Sequence, residues 1–265
     1  LVDTWGWSLY YTYTEATDAS PMTSSTNSSN WGSNLIGDLN SGIAYDSRYA
    51  IKDRFTGSVT WRHNFFADYE TRVGLFYEGR SGRPFSYIFR NDANGDNGGF
   101  NDLFYVPTGP GDVLFTGGAA MEANFFNWLA ANPELAAYGG QVAPANAFRT
   151  SFVNSFDVRI SQELPGFAEG HKSTLALDIM NIGNLINKDW GLIEDYGFNS
   201  TQQVANYAGI CGATVTATCP VGSEGKYVYT FTGPGGGAAI QENNNDKGNT
   251  GVSRWSVMLS FKYQF

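Results

Sequence analysis

The chain has 265 residues, of which 15% are charged and another 15% are aromatic, and its formal net charge is −9. This negative balance argues against nucleic acid as a partner. No apolar run reaches the ~18 residues that a transmembrane helix needs, so the sequence predicts no membrane-spanning helix. Its 32 glycines and many aromatic residues are typical of an all-β protein with long loops.

Six segments alternate apolar and polar residues with the period of two that marks a β-strand with one apolar face. In chain order, the alternating apolar positions are Trp5, Trp7, Leu9, Tyr11 and Tyr13; Phe55, Val59 and Trp61; Val73, Leu75 and Tyr77; Phe156, Val158 and Ile160; Leu175, Leu177 and Ile179; and Trp255, Val257, Leu259, Phe261, Tyr263 and Phe265. Charged residues such as Arg62, Glu78 and Asp178 fall on the opposite face. Because a charge facing lipid costs about 2–4 kcal/mol at mid-bilayer, this bias indicates that the apolar face meets a membrane.

The last segment, residues 255–265, has the clearest alternation. A strand of this length would rise roughly 33 Å, or about 25 Å along the membrane normal at a tilt of ~40°, which matches the apolar band of an outer-membrane barrel. Phe265 ends the chain and has two interpretations. It is either a signal that the barrel-insertion machinery recognises or an ordinary hydrophobic strand end.

The connections between the predicted strands alternate in length. Residues 63–68 and 163–172 are short turns, whereas residues 15–48, 86–150 and 183–252 are long connections. Outer-membrane barrels have short periplasmic turns and long external loops. If the last strand runs inward, both short turns fall on the periplasmic side. The sequence therefore predicts a transmembrane β-barrel segment of about six antiparallel strands with long external loops.

The long connections contain further predicted elements. Residues 119–138 interleave aromatic and aliphatic side chains with Ala, Asn and Glu, which predicts one short helix at the barrel mouth. Residues 227–231 face residues 204–218 in a predicted hairpin that extends above the membrane. A disulfide between Cys211 and Cys219 would hold the tip of this hairpin. Two free thiols are the alternative.

One polar motif in the second long connection has the composition of a calcium site. Asp92, Asn94, Asp96 and Asp102 offer oxygen ligands at positions 1, 3, 5 and 11, and Ca²⁺ prefers such donors. Asn97 stands where a calcium loop usually has glycine, and the usual glutamate at position 12 is missing. The alternative is a solvated Asn/Asp/Gly turn. Apart from this ion, we expect no cofactor.

Residues able to perform catalysis are scattered. The two histidines, His63 and His171, are far apart in sequence, and the carboxylates show no arrangement that suggests glycoside hydrolysis. We therefore expect no enzymatic activity. The ligand-binding residues are not defined by the sequence, although loop aromatics are candidates for contact with a cargo. They are Tyr45, Tyr105, Trp128 and Tyr138.

Several stretches resemble the C-terminal part of TonB-dependent receptors, particularly the Oar-like group of OmpA-related receptors. These stretches are residues 77–87, 91–96, 101–107, 154–165, 175–184 and the terminal strand. The resemblance covers residues 1–265 as one domain and is weakest in residues 187–250. It implies a barrel of ~22 strands whose lumen is blocked by an N-terminal plug, with this chain forming the last six strands.

The resemblance also implies a location and partners. It implies a transport receptor in the outer membrane of a Gram-negative cell, which takes up or translocates a bulky ligand with energy coupled through TonB. The implied partners are outer-membrane lipid, the rest of the barrel and its plug, TonB through an N-terminal part, the barrel-insertion machinery and an unknown transported ligand.

Two alternative functions would require no plug and no strands beyond those of this chain. One is a small eight-stranded outer-membrane protein or adhesin with surface-exposed loops, and the other is a secreted carbohydrate-binding β-sandwich. Residues 1–7 lack the basic start and apolar core of a signal peptide. We therefore expect a mature protein or a fragment of a longer one.

Overall fold

The computed structural model describes residues 4–38, 42–197, 199–233, 241–242 and 253–265. Of these residues, 42% lie in strands and few in helices, so the predicted all-β class is confirmed. The strands are β1 (Thr4–Tyr13), β2 (Thr17–Asp18), β3 (Tyr45–Asp46), β4 (Asp53–Phe66), β5 (Tyr69–Arg80), β6 (Pro84–Ile88), β7 (Tyr105–Val106), β8 (Leu114–Phe115), β9 (Gln141–Val142), β10 (Phe148–Arg149), β11 (Val153–Pro165), β12 (Lys172–Met180), β13 (Glu194–Asp195), β14 (Thr201–Gln203), β15 (Asn206–Ile210), β16 (Tyr227–Thr230), β17 (Gln241–Glu242) and β18 (Ser256–Gln264). The helices are α1 (Asn27–Gly32), α2 (Gly118–Ala130), α3 (Pro133–Ala136) and α4 (Ile182–Ile186).

The largest unit, the main sheet, has six strands in the order β1-β4-β5-β11-β12-β18. Every neighbouring pair is antiparallel, and the spatial order follows the chain order, so the sheet is an up-and-down meander. These strands coincide with the six predicted from the alternation of apolar residues. Within the described part of the chain the sheet does not close, and β1 and β18 form its two edges.

The short and long connections lie at opposite ends of the main sheet. A tight turn with a positive φ of 45° at Ala67 joins β4 to β5, and residues 166–171 join β11 to β12. The other three connections leave from the opposite end and contain all the remaining strands and helices. The predicted alternation of connection lengths is therefore confirmed. Part of the last long connection, residues 234–240 and 243–252, lies outside the described residues.

The three long connections, which we call the loop unit, form small sheets of their own. Their strand orders are β10-β6-β14, β15-β16-β8, β13-β17, β2-β3 and β7-β9. The predicted hairpin is present as β15 and β16, which pair antiparallel from Asn206 opposite Thr230 to Ile210 opposite Tyr227. It does not join the main sheet, because β16 pairs on its other side with β8.

The prediction of one short loop helix is wrong in number. The segment 119–138 contains two helices, α2 and α3, and the other long connections add α1 and α4 in the described residues. The break between α2 and α3 has a local cause. Pro133 lacks an N–H and cannot continue α2, but it fits the first turn of a new helix. The Asn132 side chain donates to the Trp128 carbonyl at 2.7 Å and satisfies the end of α2.

The hydrophobic core lies in the loop unit and not against the main sheet. Phe104, Phe125 and Tyr229 are fully buried there. The ring of Phe125 in α2 lies 5.3 Å from the ring of Phe115 and 6.2 Å from that of Phe104, measured between centroids. A second small cluster joins Leu35 of the first long connection to Ile88 and Leu103 of the second and to Ala145. Burial of these side chains gives long loops a fixed structure.

Candidate functional site

The strand register places the predicted apolar positions of all six main strands on one surface, which we call the apolar face. One row across the sheet is Trp7, Val59, Leu75, Val158, Ile179 and Val257, and the next is Trp5, Trp61, Val73, Ile160, Leu177 and Leu259. These side chains are not covered. Trp7 is 79% exposed and Leu259 is 68% exposed, and Leu75 in the middle of the sheet is still 39% exposed.

Aromatic side chains flank these two middle rows of the apolar face, in which nine of the twelve residues are aliphatic and three are tryptophan. Toward the loop unit, the rings of Tyr11 and Phe55 lie 4.8 Å apart, as do those of Tyr77 and Phe156. Toward the short turns, the aromatic residues are Phe65, Phe261, Tyr263 and Phe265. The mainly aliphatic rows therefore have further aromatic residues on both sides, toward the loop unit and toward the short turns.

Charged side chains of the main sheet lie on the opposite surface, which we call the polar face. Arg159 lies opposite Asp178, and its Nη1 donates to both carboxylate oxygens at 2.7 and 2.9 Å. The other ion pairs on this face are Arg54–Glu78 at 2.6 Å, Arg72–Glu70 at 2.8 Å, Lys172–Glu163 at 3.5 Å and Arg80–Glu78 at 3.8 Å. Of the Asp, Glu, Lys and Arg residues in these six strands, Asp53 alone takes an apolar-face position. It begins β4, and the Tyr11 hydroxyl donates to it at 2.8 Å.

The predicted calcium motif forms a compact acidic loop between β6 and β7. Asp92, Asp96 and Asp102 each bring one carboxylate oxygen within 4.8 Å of the others. Oδ1 of Asp92 accepts hydrogen bonds from the backbone N–H groups of Gly95 at 2.6 Å and Asp96 at 3.2 Å. Asn94 Oδ1 accepts a second hydrogen bond from the Asp96 N–H at 3.0 Å. Together these bonds fold the segment around its own side chains.

Asp102 is the buried member of the acidic loop and is only 2% exposed. Its Oδ2 accepts a hydrogen bond from Ala93 N–H at 3.2 Å, but its Oδ1 is buried without a partner. Burial raises the pKa of Asp102 to about 6; the Ala93 N–H opposes this shift, and the carboxylates of Asp96 and Asp92 add to it. In the described part of the chain, no lysine or arginine pairs with any of the three carboxylates.

Asn101 is a further polar residue of the acidic loop that the sequence analysis missed. It is fully buried and donates from Nδ2 to Asp96 Oδ2 at 2.9 Å, while its side-chain oxygen has no hydrogen-bond partner. A Cβ atom at Gly98 would lie 2.7 Å from that oxygen and 2.7 Å from Asp96 Oδ1, so both oxygens border one small space. The sequence carried only a weak signal, an Asn directly before Asp102.

The two cysteines form the predicted disulfide. Cys211 and Cys219 are bonded, with Cα atoms 5.6 Å apart. Cys211 directly follows β15, and its N–H donates to the Lys226 carbonyl at 2.9 Å, just before β16. The disulfide therefore closes the tip of the β15–β16 hairpin.

The loop aromatics chosen from the sequence do not converge on one ligand site. Trp128 and Tyr138 pack against the core of the loop unit, as does Tyr105, whose hydroxyl also donates to Asp112 at 3.1 Å. Tyr45 packs against the separate small cluster. Three of these residues therefore belong to one packed interior and the fourth to another.

The histidines and Phe265 lie near the end of the main sheet that carries the short turns. The ring of His63 in β4 stacks on Trp61, with centroids 5.7 Å apart. His171 precedes β12, and its Nδ1 lies 2.7 Å from the Tyr263 hydroxyl. Strands β5 and β11 separate the two histidines. Phe265 follows β18 and is 98% exposed.

Comparison with family models, curated proteins and solved structures found no match for this chain. Among the described residues, no helix is both long enough and apolar enough to cross a bilayer. The two faces of the main sheet and the acidic loop are thus the features from which a function can be proposed.

Proposed function

We propose that this chain is the C-terminal barrel portion of a TonB-dependent outer-membrane receptor that takes up or translocates a bulky ligand. The apolar face carries the proposal, because six neighbouring strands expose continuous apolar rows on one surface and keep charges on the other. In water, each such side chain that stays exposed loses about 1.5–3 kcal/mol of the stabilising free energy that full burial would give. Contact with lipid tails removes that cost.

The dimensions of the main sheet suit a bilayer. Strand β1 has 10 residues. At ~3.3 Å per residue and a tilt of ~40°, ten residues cover about 25 Å along the membrane normal, the height of the apolar band of outer-membrane barrels. Aromatic residues at both ends of an aliphatic middle are also typical of the lipid-facing surface of these barrels, where they sit at the two interfaces.

The polar face and the edge strands fit a larger barrel. In this proposal the Arg159–Asp178 and Arg54–Glu78 pairs face the lumen, where a plug or water meets them. Strands β1 and β18 each have one hydrogen-bonded neighbour in the described part of the chain. Unpaired backbone groups are costly in lipid, so both edges need further strands, which the remaining part of a ~22-stranded barrel supplies.

The two alternative functions fit the geometry less well. A secreted β-sandwich covers the inner face of each sheet with a second sheet, whereas the apolar rows here are exposed. A small eight-stranded barrel needs two more strands in the main sheet. The strongest candidates, β15 and β16, pair instead with each other and with β8.

Expression from the complete native reading frame in a Gram-negative host tests the proposal. We expect the protein to fractionate with the outer membrane and to require detergent for extraction. We also expect the reading frame upstream of Leu1 to encode a plug and a TonB box. A protein that stays monodisperse in detergent-free buffer would overturn the membrane assignment, and a signal peptide directly before Leu1 would favour the small barrel.

A further inference from the structure

We propose that the acidic loop binds one calcium ion through the carboxylates of Asp92, Asp96 and Asp102, with Asn94 and Asn101 as supporting oxygen donors. This site does not depend on the proposed receptor function, since it is argued only from the loop itself.

Negative charge is concentrated in the acidic loop. Three carboxylate oxygens, one each from Asp92, Asp96 and Asp102, lie within 4.8 Å of one another. Like charges at this separation repel, and the repulsion is stronger where one of the groups is removed from water. No lysine or arginine of the described residues forms an ion pair with any of the three carboxylates. A bound cation would supply the missing positive charge.

Two buried side-chain oxygens of the acidic loop also lack a hydrogen-bond partner. Asp102 is only 2% exposed to solvent, yet its Oδ1 has no hydrogen-bond partner. The side-chain oxygen of the fully buried Asn101 also lacks one. Buried polar atoms in native proteins nearly always have a partner, which can be an ion. A cation among these oxygens would satisfy both.

The donor set selects calcium among the common metals. All the candidate ligands are oxygen atoms, and neither histidine nor cysteine of the described chain lies in the acidic loop. Ca²⁺ takes about six to eight oxygen ligands in flexible geometry, and bidentate carboxylates help to reach that number. Mg²⁺ demands a stricter octahedral shell and gives up its water reluctantly. Three carboxylates and two side-chain amides therefore suit Ca²⁺ better.

The position of Asp102 indicates what the ion would do. Its carbonyl accepts a hydrogen bond from Phe89 N–H at 2.9 Å, and the neighbouring Asn101 carbonyl accepts one from Ile36 N–H at 2.9 Å. The acidic loop is thereby bonded to Phe89, the residue directly after β6, and to the first long connection. A bound ion would fix residues 92–102 against both, and so would hold two of the long connections together.

Calorimetric titration of CaCl₂ into the protein made from its complete native reading frame, purified in detergent and stripped with EGTA, tests the site. We expect one saturable site with a Kd no weaker than ~1 mM, in the range of extracellular calcium modules. Asp96→Asn and Asp102→Asn should each weaken Ca²⁺ binding at least ~10-fold. MgCl₂ should bind more weakly than CaCl₂.

Asp112→Asn is the matched control, because Asp112 is a hydrogen-bonded carboxylate of the same long connection outside the acidic loop. It should bind Ca²⁺ as the unmodified protein does. If Asp102→Asn fails to fold, the half-buried Asp92→Asn takes its place with the same expected loss. Absence of saturable binding up to ~10 mM, or equal binding by the unmodified protein and the Asp96→Asn variant, would overturn the proposal.

Discussion

Asn97 accounts for one departure of the acidic loop from a usual calcium motif. Its backbone φ is 63°, in the left-handed region where glycine is most common. Asparagine tolerates this conformation better than other residues with a side chain, so the missing glycine is accommodated. The sequence could not show this, because the φ angle depends on the hydrogen bond that the Asn97 N–H donates to Asp92 Oδ2 at 2.9 Å.

Substitution of Asn97 tests this reading. Asn97→Val should lower the free energy of unfolding by about 1–2 kcal/mol, since a β-branched residue is strained at positive φ. Asn97→Gly should change it by less than ~1 kcal/mol, because glycine adopts this conformation readily. Denaturant titration of the detergent-purified protein measures both. An equal loss in the two variants would mean that the asparagine side chain, and not the backbone angle, matters here.

Asp112 gives a prediction for pH. The Thr108 N–H, at 2.8 Å from Oδ2, lowers the pKa of Asp112 below its ordinary value of 3.8, and the Tyr105 hydroxyl acts in the same direction. A carboxyl whose folded-state pKa is lowered stabilises the fold above its unfolded pKa, and this contribution is lost as the pH falls through the folded value.

The Asp112→Asn variant should therefore be less stable than the unmodified protein at neutral pH, and the difference should shrink as the pH falls below 3.8. Urea titrations of both proteins at several pH values measure it. A stability difference that stays constant from pH 7 down to pH ~2 would show that the charge of Asp112 contributes nothing.

At the level of elements, the cost of a substitution in the main sheet should depend on the face to which the side chain points. Val59 and Thr60 are adjacent in β4, are both β-branched, and point to opposite faces. Thr60 lies opposite Gly6 and Gly74, so a longer side chain has room there. Substituting the same residue at Val59 and at Thr60 therefore compares the environments of the two faces, because the two original side chains are similar in size.

Arginine at these two positions should have unequal effects. Val59→Arg should cost about 2–4 kcal/mol in lipid vesicles, because it places a charge on the proposed lipid-facing surface. Thr60→Arg should stay within ~0.5 kcal/mol, because Thr60 is a partly exposed position on the polar face and lies opposite two glycines. Equilibrium unfolding of the vesicle-inserted protein measures the difference. Similar costs for the two variants would count against lipid contact at the apolar face.

Local patterns explain why the main sheet was predictable and the loop unit was not. Alternation in strands such as β1 and β18 can be read within one segment. The small sheets of the loop unit join residues far apart in the chain, as where Thr201 pairs with Ser86 and Val228 with Leu114. Strands of two or three residues have no period to detect. In the acidic loop, the spacing identified four candidate ligands. Asn101 is a candidate ligand only because its side chain is buried, and the sequence does not show burial.

At the level of the whole molecule, the open edges of the main sheet give a further prediction. Residues 1–265 alone, refolded in detergent, should form mixed oligomers or aggregates, because β1 and β18 expose unpaired backbone groups. Size-exclusion chromatography and electrophoresis of heated and unheated samples measure this. A single heat-modifiable monomer would show that the chain closes by itself.

The shared aromatic core of the loop unit has a mechanical consequence. Phe104 and Phe125 come from the connection between β5 and β11, and Tyr229 comes from the connection between β12 and β18. Because their rings pack in one buried cluster, these two connections cannot separate without exposing that core to water. In the proposed receptor, a ligand bound by either connection would therefore act on both connections together and, through them, on β5, β11, β12 and β18.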